Sequence, residues 1–310
     1  MQELREDALS SQLVLLAPGR GGRPHAFLEP GEEHRRRGEC PFCPGHEHET
    51  PPEVFRTGGG APDEPGWRIR VVPNLYPMVA PDAGHGATGA HEVVVLSPDH
   101  DRSLGELDDD GVVELLTVLR DRARHHEAAG RAFVQCLVNH GRAAGASIPH
   151  PHAQVVGIDL VPPAVQRALG GFAARGDQVA ADLETADRHG LGVGDGAAKA
   201  WCPYASSSPY QVRVAHTKAG SRFEDAPDEH VGAVARMVRD SLARLIGAVD
   251  DVPYTLVLHT APRGRPGPFH WYVDVRPRLG VAAGFELGTG IDVNVVDPAV
   301  AAEQLRAAGP

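Results

Sequence analysis

The sequence predicts an α+β fold in two similar halves, forming a mainly antiparallel sheet flanked by helices. Short β-branched runs recur along its 310 residues, and each half holds one long amphipathic helix. The order strand, helix, strand, turn, strand occurs twice, which points to an ancient duplication. No Gly-x-Gly-x-x-Gly follows a strand and opens a helix, so a dinucleotide fold is disfavoured.

In chain order, residues 1–66 are rich in Gly, Pro and charge and read as an irregular arm. Trp67 to Val72 is a strand that Pro73 ends, and His91 to Leu96 has the β-branched density of a buried strand. Ser103 and Glu106 form a capping box ahead of a helix whose apolar face is Val112, Leu115, Leu116 and Leu119. Phe133–Val138 and Ala153–Ile158 are strands joined through a Gly-containing turn. Residues 160–200 read as a helix and a loop, with a boundary near residue 195. The second half, 196–310, then repeats the first, 1–195: a Cys202-Pro203 element, a strand at Tyr210–Ala215, and a helix with Val234, Met237, Val238, Leu242 and Leu245 on one face. Strands at Tyr254–Leu258 and Phe269–Val275 complete it, with His270 near where the first half has His152.

Composition narrows the function. Thirty basic residues stand against 41 acidic, a net charge of -11, so a chain-wide grip on nucleic acid or anionic lipid is disfavoured. No run approaches the ~18 apolar residues of a membrane span. The amino terminus lacks the pattern of a secretion signal. Four cysteines are too few for a disulfide scaffold, and a cytoplasmic protein is expected.

The densest chemical signal is Asn139-His140-Gly141-Arg142-Ala143-Ala144-Gly145-Ala146-Ser147-Ile148-Pro149-His150-Pro151-His152-Ala153-Gln154. On a strand, His150, His152 and Gln154 share one face. The Gly-rich turn before them offers backbone N–H groups and the Ser147 hydroxyl to a phosphate. A neutral imidazole can attack phosphorus and leave again, so a positioned histidine can carry a nucleotidyl group.

At these residues the chain resembles the galactose-1-phosphate uridylyltransferase family of the histidine triad superfamily. The likeness includes Arg20-Gly-Gly-Arg23-Pro24, Cys40-Pro-Phe-Cys43, Val71-Val-Pro-Asn74-Leu-Tyr-Pro77 and Ser97-Pro-Asp-His100. It continues through His-Pro-His-x-Gln, Phe269-His-Trp271 and Gly284-Phe285-Glu286 to Asn294. The resemblance implies two histidine-triad-like halves and a ping-pong reaction. His152 would attack the α-phosphorus of a UDP-hexose, expel hexose 1-phosphate and pass UMP to a second hexose 1-phosphate. Gln154 stands where histidine triad hydrolases place a third histidine. Its amide can bond a phosphoryl oxygen but cannot act as an acid near neutral pH, which favours transfer over hydrolysis.

Cys40, Cys43, His100 and His150 suit a tetrahedral zinc, made structural by the family likeness. A redox role for the Cys-x-x-Cys is disfavoured because no helix starts there. Some family members hold a second metal with a Glu and three histidines. Here His259 matches one ligand while Asp274 and Arg276 replace two others, so that site is expected to be absent. By matched position, Arg20 and Arg23 resemble phosphate contacts supplied by the neighbouring subunit of a homodimer, and Asn74 resembles a uridine contact. Asn139 and Ser147 resemble phosphate contacts, and Glu286 and Asn294 resemble hexose hydroxyl contacts.

The leading expectation is thus exchange of UMP between UDP-glucose and galactose 1-phosphate. A rival keeps the scaffold as a nucleoside-diphosphate-sugar phosphorylase for ADP- or GDP-sugars. A third reading is a non-catalytic nucleotide-binding protein.

Overall fold

In a computed structural model of the protein, residues 3–16, 40–81, 88–265 and 267–310 are described. The chain begins with a hairpin, Glu3–Glu6 (β1) and Leu13–Leu16 (β2), where an irregular arm is expected from the sequence. Four-residue strands carry too little periodicity to be legible alone. This pair gains its register from a distant strand that joins β2 in parallel.

The first half continues with Phe55–Gly58 (β3), Trp67–Pro73 (β4) and Gly89–Val95 (β5). Helix α1 (Asp109–Ala128), strand β6 (Phe133–His140) and strand β7 (His152–Ile158) follow. The Ser103–Glu106 capping box is present, but it closes a short 3-10 turn, Leu104–Glu106. The long helix is capped instead by Asp108, whose carboxylate accepts the Gly111 N–H. Its expected apolar face, Val112, Leu115, Leu116 and Leu119, is buried.

The linking region holds more structure than one helix and a loop. It forms α2 (Pro163–Arg175), α3 (Gln178–Arg188) and a hairpin of β8 (Gly192–Gly194) and β9 (Ala198–Trp201), which lie either side of residue 195. Gly-rich strands this short show no alternation in sequence. Then come β10 (Val212–His216), α4 (Asp228–Val249), β11 (Tyr254–His259) and β12 (Tyr272–Pro277). The chain ends with α5 (Gly284–Thr289), β13 (Asp292–Asn294), which is the partner of β2, and α6 (Pro298–Ala308).

Ten strands form one sheet in the order β3-β4-β5-β7-β6-β11-β12-β10-β9-β8, and every ladder in it is antiparallel. The two halves meet where β6 pairs with β11, and the strand order runs outward from there in matching fashion. Side-chain alternation then divides labour between the faces. Val94, Ala153 and Val155 point to one face and join Leu115, Leu116, Leu119, Val234 and Leu242 of α1 and α4 in the main core. The opposite face of the first half carries a smaller cluster, Phe42, Trp67, Val72, Val93 and Val95, together with Cys40 and Cys43.

The segment bearing the two cysteines is fixed over that face by polar groups. Trp67 Nε1 donates to Glu47 Oε1 at 2.8 Å. The buried Arg70 guanidinium donates to Glu53, Thr50 and Asp63. Leaving such a guanidinium unpaired would cost several kcal/mol, so the loop has one favourable seat.

Candidate active site

The start of β7 brings the site together. His150, fully buried, places Nδ1 3.7 Å from Cys40 Sγ and 3.6 Å from Cys43 Sγ. His100 Nδ1 lies 3.3 Å from Cys43 Sγ. The four ligand atoms all lie within 4.8 Å of one another, and all four residues are buried. Metal bonds of ~2.3 Å to sulfur and ~2.1 Å to nitrogen at tetrahedral angles give N···S edges of about 3.5 Å, so the donor set fits one four-coordinate ion. His150 Nε2 donates to Ser97 O at 2.9 Å, which leaves Nδ1 as the lone-pair atom facing the sulfurs. Burial lowers the His150 pKa to about 4, so protonation does not compete for that lone pair near neutrality. These are the four residues expected from the sequence as metal ligands.

His152 follows on the same face. Its Nδ1 lies 2.9 Å from His150 O, and a carbonyl can only accept, so Nδ1 carries the proton. Nε2 is therefore the nitrogen that keeps its lone pair. Burial lowers the pKa of this ring, and the edge of Phe42 packs against it with centroids 5.3 Å apart. A neutral imidazole in one tautomer and one orientation results. His150 and His152 are thus joined through a single backbone carbonyl.

Gln154 is next on the face, and its Oε1 lies 2.8 Å from His91 Nε2. His91 Nδ1 accepts the Met78 N–H at 3.2 Å, so the proton of this ring sits on Nε2 and is donated to Gln154. With its oxygen held in this way, Gln154 presents its NH₂ group, a donor, to whatever occupies the cleft. His91 is the site residue that sequence reading missed. It entered only as the first residue of an apolar strand, and no local spacing ties it to a glutamine 63 positions away.

Asn139, Gly141, Ala146, Pro149 and His152 line one narrow crevice, which brings Asn139 and His152 to the same opening. Gly141 turns the chain out of β6 at φ +76, where a Cβ would meet Pro253 Cβ at 2.9 Å. Ser147 is exposed on the same turn. Asn74 follows β4, with Nδ2 3.1 Å from His91 Nε2 and Oδ1 accepting from Tyr76 N. Glu286 lies on α5, its carboxylate accepting the Ala283 N–H. Asn294 is 1% exposed and donates to Ser206 O and Ser208 O, so its amide is committed to the backbone of this chain. Arg20 and Arg23 lie outside the described residues.

The second half repeats the frame without the chemistry. In the first half Gln154 stands between Val93 and Leu137; in the second, Asp274 stands between Arg213 and Val257. Counting back along β12 places Tyr272 where His152 sits and His270 where His150 sits. His270 is therefore the counterpart of His150, two residues removed from the sequence expectation. Its Nε2 donates to His216 O just as His150 donates to Ser97 O. Of the residues weighed from the sequence for a second metal, His259 and Arg276 line the same face as Asp274, and Arg276 donates to Asp274 at 2.8 Å.

A ten-stranded antiparallel sheet thus carries a buried Cys₂His₂ group beside a histidine held in a single tautomer. Residues 83–162 match the family model for the N-terminal domain of galactose-1-phosphate uridyl transferase. The chain is 29% identical to an ADP-glucose phosphorylase of Arabidopsis thaliana over 98% of its length and 92% of that protein. It is 24% identical to a galactose-1-phosphate uridylyltransferase of Thermotoga maritima, covering 99% of this chain and 98% of the relative. The crystal structure of an Arabidopsis thaliana ADP-glucose phosphorylase with bound ADP-glucose superposes with TM-score 0.86 at 27% identity, covering 99% of this chain and 98% of that one. Over nearly its whole length the chain is thus similar both to an ADP-glucose phosphorylase and to a galactose-1-phosphate uridylyltransferase.

Proposed function

We propose that the protein is a nucleotidyltransferase that moves a nucleoside monophosphate from a nucleotide sugar to a phosphate-bearing acceptor through His152. The observation that carries this reading is the His152 tautomer: Nδ1–H is tied to His150 O, so the Nε2 lone pair is free to attack. Nε2 forms a bond to the α-phosphorus, and the bond to the bridging oxygen breaks. Its electrons leave on sugar 1-phosphate, which needs no proton near neutral pH. The adduct is a cationic imidazole whose Nδ1–H still donates to the His150 carbonyl. An oxygen of the acceptor phosphate then attacks the same phosphorus and restores neutral His152. The Gln154 NH₂ donates to a non-bridging oxygen in both steps, and the Asn139 amide and Ser147 hydroxyl serve the phosphates.

Zinc is the metal proposed for Cys40, Cys43, His100 and His150, where it supplies a fixed position and charge and no open coordination site. What the residues contribute is rigidity. The Cys40–Cys43 loop and β7 are held to each other, and His152 inherits that order.

For donor and acceptor, similarity favours ADP-glucose and inorganic phosphate, because the Arabidopsis thaliana phosphorylase matches nearly end to end at 29% identity. This reverses the order expected from the sequence. The uridylyl reading, UDP-glucose with galactose 1-phosphate, is kept by the match of residues 83–162 and by the full-length Thermotoga maritima relative. Assaying ADP-glucose with phosphate beside UDP-glucose with galactose 1-phosphate decides between them. At least a hundredfold preference for the first pair in kcat/KM is expected. The reverse preference assigns the protein to the uridylyl reading, and turnover of neither contradicts both.

The working unit is proposed to be a cytoplasmic homodimer in which Arg20 and Arg23 serve the neighbouring cleft. Exposed apolar side chains flank the two outlying contact residues. Leu75, Tyr76 and Met78 follow Asn74, while Val281, Phe285 and Leu287 surround Glu286. Apolar groups clustered in this way usually meet a partner.

A further inference from the structure

The second half keeps a hollow of its own. A cavity of about 530 Å³ opens on the sheet face that carries His152 and Gln154 in the first half. It is bounded by β11 and β12, by α2, and by the turn between β1 and β2. Tyr272, the counterpart of His152, forms part of its wall, so nothing in the cavity occupies the place of the nucleophile.

Its polar groups point to one ligand class. Three guanidinium groups line it, those of Arg167, Arg276 and Arg278. Arg276 is paired with Asp274, whereas Arg167 and Arg278 make no side-chain hydrogen bond or ion pair with the described residues. Of the two acids on the lining, Asp7 is taken by the buried Arg213, which leaves Asp292. The balance is positive in a protein whose total charge is -11. The same lining carries groups that bond hydroxyls. The Thr255 and Tyr272 hydroxyls and the His259 ring nitrogens have no hydrogen-bond partner among the described residues, and the Asp292 carboxylate joins them on the wall. Gln135 donates both its hydrogen bonds to backbone carbonyls, leaving its oxygen as an acceptor. Val257 and Phe269 give an apolar floor.

Inorganic phosphate alone would leave most of this space empty, since small-molecule sites run from about 300 to 1,000 Å³. We propose that the cavity is a second, non-catalytic binding site for a sugar phosphate, its phosphate held by Arg167 and Arg278 and its hydroxyls by Thr255, Tyr272 and Asp292. Duplication explains how it arose. The second half retained the hollow of a phosphate-handling cleft and lost the histidine that made it reactive.

Calorimetric titration of the full chain with ribose 5-phosphate tests this. The catalytic cleft is first filled by saturating a His152→Ala variant with ADP-glucose, which can bind there without reacting. One ribose 5-phosphate per chain is expected, weakened at least tenfold by Arg167→Ala with Arg278→Ala. Both arginines are exposed, so the fold is not at stake. Thr255→Val, inside the cavity, is expected to weaken binding without altering charge. Absence of binding, or binding unchanged by all these substitutions, overturns the proposal. Should His152→Ala take up no ADP-glucose, the catalytic reading fails separately, and the same titration of nucleotide-free protein still reads the second cavity.

Discussion

His152 depends on hydrogen bonds its own ring does not advertise in sequence. His-Pro-His-x-Gln is legible because strand alternation alone puts three functional side chains on one face. His91 is not legible, because its role depends on the pairing of β5 with β7, and register is a tertiary fact. A neutral, Nε2-protonated His91 fixes which end of Gln154 faces the phosphate. Replacing His91 by Ala should lower kcat about tenfold with KM and melting temperature little changed, the worth of roughly one well-placed hydrogen bond. Replacement by Gln, which can still donate, should recover much of the loss. A fall in melting temperature with an unchanged kcat would assign His91 to packing. A second buried group governs pH. Burial, with the neighbouring Glu127 carboxylate adding to it, raises the Glu224 pKa from 4.5 to about 7. The folded state therefore holds a proton that the unfolded chain releases, and stability falls as pH rises from about 4.5 through about 7. Glu224→Gln should be more stable than the parent at pH 8, by up to roughly 3 kcal/mol, with the gap closing toward pH 4. Denaturant melts at the two pH values check this, and a gap independent of pH would contradict it.

Among the elements, the Cys40–Cys43 loop and the first turn of β7 act as one unit. The sequence pointed to all four residues of the buried Cys₂His₂ group, since Cys-x-x-Cys and the two histidines lie in recognisable motifs. It could not place the loop, which is seated by Arg70 and by the Trp67–Glu47 bond across the sheet. Helix α1 teaches the same lesson at smaller range. Two capping signals stand five residues apart, and only geometry tells which one opens the helix. Cys43→Ala should bring bound metal below one ion per chain by elemental analysis. It should also lower the melting temperature and cut kcat at least tenfold, because His152 loses its fixed neighbour. Full kcat in metal-free protein would separate the metal from the catalytic order ascribed to it.

For the whole molecule, the visible regularity is a sheet whose halves mirror one another about the β6–β11 seam, while chemistry has gone to one side only. The recurring element order was readable in the sequence, but the register that relates the two halves was not. His270 matches His150 only once the ladders are laid side by side. The short strands β1, β2, β8 and β9 escaped sequence reading because three or four residues show too little alternation, and the two hairpins are held through β13 and β10. If the cleft is completed across a dimer, two inactive variants should complement one another. Mixing His152→Ala with Arg20→Ala/Arg23→Ala subunits, then unfolding and refolding them together, should restore roughly a quarter of parental activity, since half the dimers carry one intact site. No recovery in mixed dimers of verified composition would place both arginines in the cleft of their own chain.

The most direct measurement is mass spectrometry of the intact protein, quenched under alkaline conditions after mixing with ADP-glucose in the absence of phosphate. One added AMP per chain, mapped to His152 by peptide fragmentation and removed on adding phosphate with release of ADP, is the expected result. A chain that turns ADP-glucose over yet never carries the nucleotidyl mass, or carries it on a residue other than His152, would contradict the mechanism.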